Sequence, residues 1–183
     1  MMKKRFLDSL PTDWVKYLVV IILSIALWVW VFGLYHAPKE SEKLEVFYAG
    51  VVANYDFERV AADAVDGVKS VSVSSAYPWT GNSFDQKYSL VALTASDVVI
   101  VPEDVAAETD CKRAFEPITD IAGRAFAQEG VQYGVYLPAE KKEALSAYFE
   151  FEYDEYIVFA VASSMNSGEV TNHSFELIEW LVG

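Results

Sequence analysis

The sequence predicts one transmembrane helix followed by a single three-layer α/β lobe built on a mixed five-stranded sheet. Three observations predict it. A run of 19 residues near the N-terminus carries no charge. The remainder alternates strand-like with helix-like segments, as α/β domains do. The strand-like segments are of two kinds, continuously apolar or alternating, which orders them within a sheet.

The uncharged run is Tyr17–Tyr35, YLVVIILSIALWVWVFGLY. As a helix rising about 1.5 Å per residue it spans roughly 28 Å, the thickness of a bilayer core. Trp14 and Tyr17 stand at one end and Trp28, Trp30 and Tyr35 towards the other. Amphipathic aromatic rings favour the headgroup level, so both ends carry anchors. Lys3, Lys4, Arg5 and Lys16 precede the run, whereas only Lys39 and Lys43 follow it closely. The positive-inside bias then places residues 1–16 in the cytoplasm and residues 36–183 outside. The apolar stretch is too long for a cleaved signal peptide and Tyr35-His36-Ala37-Pro38 is a poor cleavage site, so the expectation is an uncleaved signal anchor. Residues 36–42 (HAPKESE) read as a short stalk before a domain at 43–183.

The domain begins with a strand at Lys43–Ala49 (KLEVFYA), ended by Gly50. Tyr55–Val65 has Phe57, Val60, Ala61 and Ala64 at helical spacing. Val68–Ser74 alternates Val71 and Val73 with serines and reads as a half-buried strand. Ser75–Asn82 (SAYPWTGN) is rich in turn residues. Ser83 with Gln86 forms a capping box, predicting a helix to about Ala95. Asp97–Val101 (DVVIV) is a strand stopped by Pro102, and Glu103–Ala114 is helical in pattern. Phe115–Ile121 reads as a loop. Val131–Leu137 alternates again, Tyr156–Ala162 (YIVFAVA) is continuously apolar, and a helix closes the chain at about Ser174–Val182 with Phe175, Ile178, Leu181 and Val182 on one face.

Continuous apolar runs mean burial on both faces of a sheet, and period-two runs mean edges. Strands 43–49, 97–101 and 156–162 therefore belong in the centre, and 68–74 and 131–137 at the edges. With right-handed crossovers in a mainly parallel sheet, the order is 2-1-3-5-4.

This pattern resembles the extracytoplasmic solute-binding proteins. Phe84–Pro102 (FDQKYSLVALTASDVVIVP) resembles their helix-then-strand signature, and Val46-Phe47-Tyr48-Ala49 their first strand. Tyr156–Asn166 with Phe175–Leu181 resembles their returning antiparallel strand and following helix. The resemblance implies the same 2-1-3-5-4 lobe topology. Two such lobes enclose the ligand in full-sized members, whereas about 140 residues here hold one. The chain is thus similar to small, membrane-anchored, single-lobe relatives of Gram-positive bacteria.

Charge and composition narrow the function. Two of the 27 acids and four of the 14 bases precede residue 36, so residues 36–183 carry 25 acids, 10 bases and a net charge of −15. Such a surface repels phosphates and argues against nucleic acid. The single cysteine, Cys111, permits no intrachain disulfide, and the two histidines, His36 and His173, match no zinc spacing. No G-x-S-x-G, H-E-x-x-H or Gly-rich phosphate loop is present, and no calcium loop, so no catalytic residue, metal ligand or cofactor is assigned and an enzyme is not expected. The acidic run Glu150–Glu155 (EFEYDE) reads as a solvated strand or hairpin face. Ligands of open α/β sheets bind beyond the carboxyl ends of the strands. That edge gathers the candidate binding residues Tyr48, Ser74, Ser75, Tyr77, Trp79 and Glu103. With one lobe, the edge is expected to be open and to engage a protein partner, a small-molecule ligand being left open. The expected function is a membrane-anchored, solute-binding-like module recruiting a partner at the cell surface. The alternative is an accessory subunit of a membrane complex acting through its helix, where Ser24, Ala26 and Gly33 are small enough for helix packing.

Overall fold

The computed structural model describes residues 2–36, 38–78, 82–168 and 170–183. The chain divides into two compact units, Met1–Ala37 and Pro38–Gly183. In the first, helix α1 runs over Met2–His36, starting well before the expected Tyr17. Its segment Trp14–Gly33 is 20 residues long and apolar enough to cross a membrane, and none of its residues is buried. Leu23 is 63% and Trp28 68% exposed, a surface too apolar to leave in water. The Ser24 hydroxyl donates to the Val20 carbonyl at 2.8 Å, so this polar group is satisfied within the helix.

In the second unit, residues 40–42 of the expected stalk are docked on the domain. A 3₁₀ turn at Glu40–Glu42 is held by the Glu42 carboxylate, which accepts from the Lys39 N–H at 3.0 Å and the Lys69 ammonium at 2.9 Å. The strands are β1 (Lys43–Ala49), β2 (Val51–Val52), β3 (Ser70–Ala76), β4 (Val98–Pro102), β5 (Ala125–Gln128), β6 (Val131–Tyr136), β7 (Phe149–Glu150) and β8 (Tyr156–Ala160). The helices are α2 (Asp56–Ala64), α3 (Asn82–Lys87), α4 (Glu103–Glu108), α5 (Cys111–Ala114), α6 (Ala139–Leu145) and α7 (His173–Val182).

The domain is mixed α/β, as expected, but the sheet differs in strand count and order. It has six strands in the order β3-β1-β4-β8-β6-β5, and β2 and β7 form a separate antiparallel pair. The five expected runs keep their expected neighbours, while β5 adds beyond β6. The run 131–136 is therefore inside the sheet and not at its edge. The sheet is also less parallel than expected: β1 pairs in parallel with β3 and β4, and the other three pairings are antiparallel. The extra strand depends on a two-residue turn at Glu129–Gly130, both at positive φ (54° and 82°). A type I′ hairpin turn needs that geometry.

The continuous apolar strands fill both faces. Leu44, Val46 and Tyr48 of β1 point into one core, with Val98 and Ile100 of β4 and Phe57 of α2 and Leu177 of α7. Phe47 and Ala49 point into the other, with Val99, Val101, Phe84 of α3 and Ala106 of α4. This is the period-two alternation of a strand buried on both sides, and it makes the sheet the middle of three layers.

Several local expectations are corrected. The helix from Ser83 starts at Asn82, so Ser83 lies inside its first turn, and it ends in a π-helical turn at Tyr88–Ala92. The helix 103–114 is two short helices, broken where the Thr109 hydroxyl donates back to the Val105 carbonyl at 2.8 Å. On α2, Phe57 and Ala61 are buried but Ala64 is exposed. On α7, Leu177 joins Ile178, Leu181 and Val182 in the core, and Phe175 is only half-buried.

Candidate functional site

The carboxyl ends of β1, β3 and β4 lie side by side, with Tyr48 opposite Ser75 and Ile100. Because β8 runs antiparallel to β4, Tyr156 is opposite Pro102 and the chain just before β8 reaches the same edge. That chain is the acidic run, and it folds across the edge. Phe149 and Phe151 lie against Tyr48 at ring-centroid distances of 4.6 and 5.8 Å, and Phe151 meets Tyr156 edge-on at 5.1 Å. The Tyr48 hydroxyl donates to the Glu150 carbonyl at 2.6 Å. Aromatics alternating with acids thus put their rings inward, while Glu150, Glu152 and Asp154 face solvent.

This changes the reading of the candidate residues. Tyr48 is fully buried, so it is a core residue and not part of an open face. Burial is the first cause holding its phenol above the ordinary tyrosine range. Gly50 follows because a Cβ there would stand 2.5 Å from the Tyr48 ring. Ser74 and Ser75 are half-buried in β3, where the Ser75 carbonyl accepts from the Lys87 ammonium at 2.7 Å. Tyr77 is half-buried and donates to the Glu152 carboxylate at 2.5 Å, which is the first cause of its raised pKa. Trp79 lies outside the described residues. Glu103 accepts from the Tyr136 hydroxyl at 2.6 Å. Tyr136 is pushed up to about 12, first by burial and then by that bond. Arg124 lies 3.8 Å over the Tyr136 ring and pairs with Glu155, holding the Glu155 carboxyl below its usual range. The edge is therefore largely closed by the protein itself.

What stays open lies beside it. A cleft of about 500 Å³ runs between α3 with its π-helical turn and α4. Phe84, Tyr88 and Leu93 line it from the first, Asp104, Val105 and Glu108 from the second, and Pro78, Asp110 and Tyr153 take part. Phe84 stacks on Tyr88 at 5.5 Å, with 10° between ring planes, and the Tyr88 hydroxyl is hydrogen-bonded to that of Thr109 at 2.9 Å. Asp85, Asp104, Glu108 and Asp110 are exposed carboxylates in the lining, and no Lys, Arg or His lines it among the described residues. Tyr153 is pushed up to about 12, first by burial and then by the Asp104 charge.

Cys111 is poorly placed to act as a nucleophile. Cys111 is fully buried, donates to the Thr109 carbonyl at 3.6 Å, and is pushed up to about 11 by burial, whereas a nucleophilic cysteine needs its thiolate. Among the described residues no three His, Cys, Asp or Glu side chains converge to hold a metal. The cleft residues were missed in the sequence because Phe84/Tyr88 and Asp104/Glu108 show only i,i+4 spacing. That spacing puts each pair on one helix face but cannot say that the two faces oppose each other. No family model, curated protein or solved structure matches the chain.

Proposed function

We propose that this chain is a membrane-tethered extracytoplasmic recognition module, with α1 as its anchor and the N-terminus in the cytoplasm. Its α/β domain recruits a protein partner at the cell surface through the α3–α4 cleft. The observation that carries this reading is the cleft itself. It lies beside the carboxyl edge of the parallel strands, where open α/β sheets place ligands. It opens to solvent between elements that the rest of the fold holds in place. The likeness of Phe84–Pro102 to the helix-and-strand signature of solute-binding proteins supports it further, because that segment forms one wall. The cleft stands half open to solvent, whereas small-molecule pockets enclose their ligands almost wholly, so a protein partner suits it better.

The test places a photo-crosslinking residue at Ser89, exposed in the cleft, in the full-length protein in its native membranes. The protein should resist carbonate extraction, its domain should be cut by protease added outside, and Ser89 should capture one specific partner. Crosslinks from Ser24 or Gly33 with none from Ser89 would instead support an accessory subunit acting through α1.

A further inference from the structure

The cleft has a chemical character that narrows its occupant, on the reading that it is the recruiting site. Its lining alternates partly exposed apolar surface (Leu93, Val105, Tyr153) with carboxylates (Asp85, Asp104, Glu108). Asp104 and Glu108 stand four residues apart on α4, where like charges repel. Glu108 ends that helix and no base lies in its last turn, although a helix C-terminus favours cations. Both costs are relieved by positive charge from outside. A lysine or arginine supplies it in the right form, because its stem is apolar and only its head is charged. The lining also spreads its carboxylates along a groove, whereas a metal ion needs them convergent.

We propose that the cleft binds an extended basic segment of the partner protein, laying lysine or arginine stems on Leu93, Val105 and Tyr153 and their cationic heads against Asp104 and Glu108.

The experiment uses the full-length protein in an uncharged detergent and a short fluorescent peptide of alternating Lys and Ala, read by anisotropy. The peptide should bind, and binding should weaken as salt rises from about 0.05 to 0.5 M, where exposed charges are screened. The double variant Asp104→Asn, Glu108→Gln should weaken it about fivefold, as for two exposed ion pairs. Asp63→Asn with Asp66→Asn, exposed and outside the cleft, should leave it unchanged. Equal loss in both double variants means attraction by net charge alone and overturns the proposal, as does equal binding of a Glu-Ala peptide. Absence of binding at low salt overturns it too. A specific partner still captured from Ser89 would then leave the recruiting role standing without its basic ligand, and no capture would remove both.

Discussion

Asn166 donates from its side-chain nitrogen to the Asp97 carboxylate at 3.1 Å and to the Lys43 carbonyl at 2.9 Å. The two side chains are 2% and 8% exposed and lie 69 residues apart in sequence. The same carboxylate accepts from the Ser164 hydroxyl and, at 2.7 Å, from the Glu45 N–H. One buried acid thus ties the loop after β8 to the start of β1 and β4. A buried carboxylate is tolerated only when so surrounded by donors. Asn166→Ala should lower stability by about 1–3 kcal/mol, the cost of leaving a buried acceptor short of a donor. Urea unfolding followed by circular dichroism checks it.

Val99 is fully buried and pairs across β4 with Phe47 and Phe159. Val99→Asp puts an unpaired charge in the middle of the sheet. The variant should fail to fold, losing its near-ultraviolet signal and its resistance to protease. Wild-type melting would mean that β4 is not central.

Gly134 sits in β6 where a Cβ would stand 2.6 Å from Ile157 and 2.7 Å from Phe159. Phe159 is itself pinned by stacking on Phe115 at 4.1 Å, so it has little room to yield. Gly134→Ala should cost about 1–3 kcal/mol by overpacking, seen as a lower Tm. A neutral result would show that these rings can move apart.

Cys111 is pushed up to about 11 and Tyr88 to about 12, both by burial of their neutral forms. A thiol ionises near 8.5 and a phenol near 10 in an unfolded chain. The unfolded state therefore loses these protons first as pH rises, and stability falls. The contribution of each group is complete below its unfolded value and lost as pH passes its folded one. Unfolding midpoints measured from about pH 8 to 12 should decline, and Cys111→Ala should flatten the lower part of that decline. In the native protein at pH 8 the thiol should be silent to a disulfide reagent and should react once urea is added.

Much of the architecture was legible locally. The uncharged run Tyr17–Tyr35 announces its helix without reference to the rest of the chain. The strands at 43–49, 97–101 and 156–162 declare burial on both faces by lacking alternation, and the structure puts Tyr48 and Phe47 of one strand into opposite cores. Two missed elements did carry signals. Pro138 before AEKKEAL marks the start of α6, since proline suits a helix entrance and the following residues favour helix. Glu129-Gly130 between AFAQ and VQYGVY marks the β5–β6 hairpin. The period-two pattern at 131–137 predicts an edge, whereas β6 lies inside the sheet, because alternation reports which faces are apolar, not whether a further strand pairs alongside.

The candidate site divides differently. Sequence alone determined that acids dominate residues 36–183 and that aromatic residues follow the strands. Only the tertiary structure decided which of those aromatics are available. Tyr48 is covered because Glu150, 102 residues away, brings its carbonyl to the phenol, and Tyr77 is held because Glu152, 75 residues away, accepts its hydrogen bond. Side-chain type and spacing set what each segment can bury. Which segment lies across which edge is set by strand order, since β8 must enter the sheet beside β4 before its leading residues can reach β1. Among the described residues, the same placement leaves the α3–α4 groove open, with its carboxylates turned to solvent.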